Sequence, residues 1–128
     1  MFKLERLIYA IAEKEGWTPQ NTFENKTATI SYRNHNPGNL RSSPFESRKA
    51  GGFSVFKTDI DGFNALKWDI TQKAKGNTVT KLNGESTIRD LIFVYAPPED
   101  NNNSEQYLKD IIKMTGLEES TKLKNLID

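Results

Sequence analysis

Residues 2–17 read FKLERLIYAIAEKEGW, and the spacing of their apolar side chains predicts the first helix of the chain. Leu4, Leu7, Ile8 and Ile11 recur at three- and four-residue intervals, which is one face of an amphipathic helix. At ~100° per residue, Glu15 falls within about 20° of Ile8 and one turn beyond Ile11, so a carboxylate continues the apolar stripe. Glu13 projects to the opposite, solvated side. Gly16 then breaks the helix, and Trp17 sets an indole beside the acid. A carboxyl held among apolar groups favours its neutral form, which a proton donor at neutral pH requires. The competing reading is a helix-end glutamate whose methylenes pack while its head reaches water.

Further along, residues 27–33 alternate, with β-branched Thr27, Thr29 and Ile30 followed by Tyr32, and predict a short strand. Residues 34–40 (NHNPGNL) form a turn segment in which Pro37-Gly38 suits the centre of a type II turn. Residues 41–49 lack periodicity, and 52–57 (GFSVFK) predict the second strand of a small sheet. Thr58 or Asp59 caps a helix carrying Ile60, Phe63, Leu66 and Ile70 and ended by Gly76. Ser86 or Thr87 opens the next, with Ile88, Leu91, Ile92 and Tyr95 on one face, and Pro97-Pro98 stops it. Residues 101–104 cap a helix bearing Tyr107, Leu108, Ile111 and Ile112, closed by Gly116, and Leu123, Leu126 and Ile127 suit a last short helix. The expectation is a mainly helical α+β fold, with a small antiparallel sheet or hairpin between the first and second long helices.

With 128 residues the chain is long enough for one domain with a core of its own. Hydrophobic residues make up 35% of it and the mean hydropathy is −0.70, a polar composition. Eighteen basic and 17 acidic side chains leave a net charge of +1 with no block of one sign, so nucleic acid is not an indicated partner. No run reaches transmembrane length, which argues against membrane insertion. The absence of cysteine excludes disulfides and thiolate metal sites, and the one histidine, His35, makes a histidine metal site or a Ser–His triad improbable. No metal or organic cofactor is suggested. Residues 2–12 carry Lys3, Glu5 and Arg6 in a helical pattern and do not form a signal peptide.

Three segments are more polar than a helical bundle needs: Glu15 to Trp17, Arg33 to Arg41, and Tyr95 to Asn103 with Tyr107 beyond it. Amides, phenols and an indole around one acid suit a neutral, polyhydroxylated, acetamido-bearing ligand, because Asn both donates and accepts and aromatic faces pack on sugar rings. Plainer readings stand beside this one. Asn, Pro and Gly build turns without binding anything, the third segment is a helix stop followed by a cap, and Trp17 can be a core anchor. His35 is assigned no catalytic role, and Trp68 and the phenylalanines are assigned to the core.

The order A-I-A-x-x-E-G-W (Ala10 to Trp17), S-x-R-N-x-N-P-G-N-L-R (Ser31 to Arg41), G-F-x-V-F (Gly52 to Phe56, with Gly62) and Y-A-P-x-x-D-N-N (Tyr95 to Asn102) resembles a group of peptidoglycan-cleaving domains. These are small phage-type and bacterial members of the lysozyme-like superfamily, related in fold to the lytic transglycosylases. The resemblance spans roughly residues 5 to 110, and its most specific string is Arg33 to Arg41. It implies a catalytic glutamate at the end of the first long helix, which maps onto Glu15. It also implies glycan-groove walls built from Ser31 to Leu40 on one side and Tyr95 to Asn103 on the other. The expected substrate is peptidoglycan glycan strands, and the missing leader fits a virion-associated or lysis-released protein or a piece of a larger phage or secretion assembly.

Under that resemblance Glu15 is the acid/base. Trp17, Ser31, Tyr32, Asn36, Asn39, Tyr95 and Asn101 are candidates to bind or orient the sugars. Arg33 and Arg41 could pair with substrate carboxylates or make structural ion pairs. A hydrolase wants a second carboxylate, whereas a lytic transglycosylase needs only one acid. Glu24, nine residues after Glu15, has a spacing that resembles the phage lysozymes, but Ile30 stands where a threonine is expected. Asp100 is the other candidate. The lack of a compelling partner favours the transglycosylase, with a lysozyme-type hydrolase or a non-catalytic glycan-binding or virion structural module as alternatives.

Overall fold

The computed structural model describes residues 2–17 and 29–127. Its α-helices are α1 (Lys3–Lys14), α2 (Ile30–Arg33), α3 (Asp59–Ala74), α4 (Ile88–Tyr95) and α5 (Ser104–Thr115). Strands β1 (Arg48–Ala50) and β2 (Phe53–Val55) form a two-stranded antiparallel sheet between α1 and α3 in the chain, and 3₁₀ turns occupy Pro98–Asp100 and Leu123–Asn125. The protein is therefore α+β and mainly helical, with one small sheet among the described residues. None of its described helices is long and apolar enough to cross a membrane.

Two compact units divide the chain, with boundaries inside α1 and α3. One comprises Met1–Leu7 and Ile70–Asp128. Its buried side chains include Leu4, Leu7, Ile70, Ile88, Leu91, Ile92, Leu108, Ile111 and Leu123. Here Thr87 caps α4 in a capping box: its hydroxyl accepts from the Asp90 N–H, while the Asp90 carboxylate accepts from the Thr87 N–H. Asn103 caps α5, and Gly116 ends it in the left-handed region. Thr87 also bridges to Lys122, which ties the last residues to the start of α4.

The other unit is Ile8–Asp69, with Ile8, Ile11, Leu40, Val55, Phe56, Ala65 and Leu66 buried. The hairpin turns on Gly51 and Gly52, whose φ values of 56° and 84° are the pair that a two-residue turn matched to strand twist requires. Val55 pairs with Arg48 and Phe53 with Ala50.

Several expectations are corrected here. Residues 27 and 28 of the expected strand lie outside the described residues, and Ile30–Arg33 is helical. The Thr29 hydroxyl accepts from the Tyr32 N–H and starts a helical turn there. The strand that pairs with β2 comes instead from the aperiodic residues after Arg41. The turn at Pro37-Gly38 is closed by the Asn39 N–H on the Asn36 carbonyl at 2.9 Å. It is not type II, since the left-handed residues are His35 and Asn39 rather than Gly38. Ile60 is 72% exposed, and Trp68 and Phe45 are outside the core at 41% and 53%.

Candidate active site

Glu15 is positioned by the way α1 stops. The Gly16 N–H donates to the Glu13 carbonyl and the Trp17 N–H reaches the Ala12 carbonyl, the paired bonds of a Schellman motif with Glu15 as the helix's capping residue. Gly16 takes φ 91°, and a Cβ on it would lie 2.9 Å from the Thr29 methyl. The Thr29 hydroxyl donates to the Gly16 carbonyl at 2.7 Å. One threonine thus fastens the end of α1 to the start of α2. Glu15 itself is half-buried.

Trp17 is held from several sides. Its indole N–H donates to Asp59 Oδ1 at 3.2 Å, Phe63 meets it edge-on at 4.9 Å between centroids, and Tyr32 lies 6.1 Å away. Tyr9 extends the cluster through Phe63 at 5.1 Å. His35 Nδ1 lies 3.0 Å from the same Asp59 oxygen, so one carboxylate joins α3 to both the indole and the turn. Asp59, His35 and Phe63 are cluster members that the sequence reading missed. Trp17 and Tyr32, both expected at the site, are brought together and are half-buried.

Ser31 and Asn36 are placed differently from expectation. Both are 0% exposed, and an enclosed side chain does not touch a ligand. The Asn36 amide donates to the Leu40 and Ser54 carbonyls, and its oxygen accepts from the Leu40 N–H, each at 2.9 Å. It therefore builds the turn and stitches it to β2. The Ser31 hydroxyl lies 3.3 Å from that of Thr29, and its carbonyl accepts from the Asn36 N–H. Asn39 is half-buried with φ 52°, and its side-chain oxygen is buried without a hydrogen-bond partner. Arg41 stacks its guanidinium over Phe53 at 4.8 Å, and Arg33 is exposed.

The remaining candidates belong to the other unit or lie outside the described residues. Tyr95 is the last residue of α4 and is half-buried. Asp100 ends the 3₁₀ turn, and Asn101 follows it with φ 62° and its N–H on the Pro98 carbonyl; both are exposed. Asn102 donates to the Pro97 carbonyl and Asn103 caps α5, so much of this amide run serves the backbone. Glu24 lies outside the described residues.

No family model, curated protein or solved structure matches this chain. The resemblance to peptidoglycan-cleaving domains therefore rests on the motif residues themselves. Chemically, the Ile8–Asp69 unit offers a half-buried glutamate at a helix C-terminus, an indole fixed through Asp59 and Phe63, and a phenol on α2.

Proposed function

We propose that this protein cleaves the β-1,4 bond between N-acetylmuramic acid and N-acetylglucosamine in peptidoglycan, as a lytic transglycosylase with Glu15 as its acid and base. The observation that carries the reading is the half-buried residue Glu15, held at the end of α1 by the Gly16 turn with Trp17 following it and anchored by Asp59. The carbonyl end of a helix carries partial negative charge, which disfavours a second negative charge and suits a proton donor.

In the proposed reaction the Glu15 carboxyl gives its proton to the glycosidic oxygen as that bond to the muramic C1 breaks and positive charge develops on the sugar ring. The resulting carboxylate then takes the proton from the muramic C6 hydroxyl, whose oxygen bonds to C1 and closes a 1,6-anhydro ring. Because the nucleophile is already part of the substrate, proximity replaces a second protein carboxylate. Asp59, the acid in contact with the Trp17 cluster, has one oxygen engaged by both the indole and His35, which suits a positioning residue.

The test is digestion of purified peptidoglycan with the wild type and Glu15→Gln, with the released fragments weighed by mass spectrometry. Glu15-dependent 1,6-anhydromuramic ends are expected. Glu15-dependent reducing ends would instead indicate a hydrolase and direct attention to Glu24 and Asp100. A folded Glu15→Gln variant with full activity would remove Glu15 from the mechanism, and sacculi left intact by the wild type would favour a non-catalytic glycan-binding module.

A further inference from the structure

The α3 helix has a second equipped face that the Trp17 cluster does not use. Asp61, Asn64 and Trp68 are spaced by three and four residues, so they share one stripe, and all three are exposed. Phe63, which packs on Trp17, is two residues from Asp61 and so lies about 160° around the helix from it. Across from the stripe stands Phe45, in the loop before β1. Its ring meets Trp68 edge-to-face, at 5.3 Å between centroids and 87° between planes. Between them opens a cleft of about 650 Å³, which Glu46 and Lys57 also line. Its size lies within the ~300–1,000 Å³ typical of small-ligand sites.

Two large aromatic rings left 53% and 41% exposed are not explained by packing. Because the rings meet edge to face, one of them presents only its edge, and neither of its faces is covered within the pair. The polar lining sorts into two kinds. Glu46 is engaged by the fold: its Oε1 accepts from the Ser54 hydroxyl, the Ser43 N–H and Lys49, contacts that hold its carboxyl below the usual range. In contrast, the side chains of Asp61, Asn64 and Lys57 carry no hydrogen bond or ion pair among the described residues. One acceptor, one donor and one amide with both functions, balanced in charge, match neither a polyanion nor a polycation. They match the mixed hydroxyls and acetamido groups of a neutral sugar whose C–H face lies on an aromatic ring.

We propose that the cleft between Phe45 and the Asp61–Trp68 stripe is a second saccharide-binding site, which takes N-acetylated sugar chains. The choice of N-acetylated sugars rests on the proposed peptidoglycan activity; the preference for a neutral saccharide rests on the cleft alone. Trp68 supplies the stacking face, Asn64 bonds an acetamido or hydroxyl group, and Asp61 and Lys57 bond the flanking hydroxyls. A wall-acting enzyme would use such a site to stay on its insoluble substrate.

The test is an NMR titration of the full chain carrying Glu15→Gln, labelled with ¹⁵N, with chitotetraose as the probe. The two indole N–H signals report separately on Trp17 and Trp68. Saturable shifts of the Trp68 indole and the Asn64 side-chain amide are expected, with Trp68→Ala weakening that binding about tenfold. Should Trp68→Ala disturb the fold, the exposed Asn64→Ala and Asp61→Ala variants each provide the same readout, with a fold-change of roughly 3–10. A silent Trp68 at saturating chitotetraose would overturn the proposal. So would shifts at Trp68 with a lysine-containing stem peptide and none with the sugar. Failure of the cleavage assay with Trp68 still shifting would overturn only the catalytic reading. Glu15-dependent cleavage with Trp68 silent would overturn only this site.

Discussion

Replacing Asn36 by alanine should unfold the protein more easily rather than weaken its hold on a ligand. The side chain makes three hydrogen bonds, all to backbone and all at 2.9 Å. On truncation the Leu40 carbonyl still accepts from the Ser54 N–H at 2.9 Å, so it keeps a partner. The Leu40 N–H and the Ser54 carbonyl lose the partner that Asn36 supplied. Each buried group left unsatisfied costs ~1–3 kcal/mol, so the pair costs about 2–6, a large part of the ~5–15 kcal/mol that holds such a domain together. With a urea m-value of ~1–3 kcal/mol/M, a central cost of ~4 kcal/mol lowers the midpoint by about 1.3–4 M. Urea melts followed by circular dichroism measure this directly. Asn36→Asp is an informative companion. It keeps the acceptor for the Leu40 N–H but sets a carboxylate against two carbonyls, and it should be at least as destabilised. If Asn36→Ala keeps its midpoint within the error of the melt while substrate affinity falls, the side chain faces a ligand and the argument is wrong.

Other perturbations probe neighbouring parts of the same reasoning. Gly16→Ala strains a residue at φ 91° and pushes a methyl to 2.9 Å from Thr29, so it should cost ~1–2 kcal/mol in a urea melt and lower turnover by shifting Glu15; unchanged turnover would separate the acid from its turn. Gly62→Ala drives a Cβ into the His35 carbonyl oxygen and to 2.7 Å from Pro37 Cδ, so a loss of ~3 kcal/mol or more is expected, and a wild-type melting curve would contradict this close approach. Lys122 and Lys124, each 2.7 Å from Glu85, hold its carboxyl at about 2, below its ordinary value of 4.5. A depressed folded-state value stabilises above the unfolded value and fades as pH falls from 4.5 towards 2. Glu85→Gln should therefore melt below the wild type at pH 7 and close to it at pH 2, and 1 M salt should narrow the gap; a difference that persists at pH 2 would exclude this origin.

The sequence was most legible where the cause of structure is local. Thr87 and Asp90 form a capping box within four residues, Asn103 and Gly116 bracket α5, and Gly16 ends α1, so those boundaries could be read without knowing what packs where. The small sheet was half legible. β2 showed through Phe53 and Val55, but β1 has three residues and no period, and it is a strand because Gly51 and Gly52 turn the chain back onto β2. Residues 30–33 misled because β-branched character outweighed Thr29 as a cap, and four residues are too few to display a helical period. Trp68 was assigned inward on hydrophobicity alone, although seven residues from Asp61 it shares that residue's exposed face. The tie of Trp17 and His35 to Asp59 spans 42 and 24 residues, and no local pattern announces it.

The most specific string in the chain, Arg33 to Arg41, also bears least directly on chemistry. Asn36, Pro37 and Gly38 are buried, the Asn36 amide spends its capacity on backbone, and Gly62 is bare because the His35 carbonyl occupies the space a side chain would need. Every one of these residues answers a geometric demand of the turn. A shared string of this kind is therefore evidence that two chains build the same turn, and only weak evidence that they catalyse the same reaction. The catalytic claim rests on fewer atoms: the Glu15 carboxyl, the Gly16 turn that follows it, and an indole fixed by Asp59 and Phe63. Those features are separable by mutation. A chain with Asn36 and Gly62 intact and Glu15 changed should keep its fold and lose its chemistry, whereas a change at Asn36 should lower stability with the acid still present.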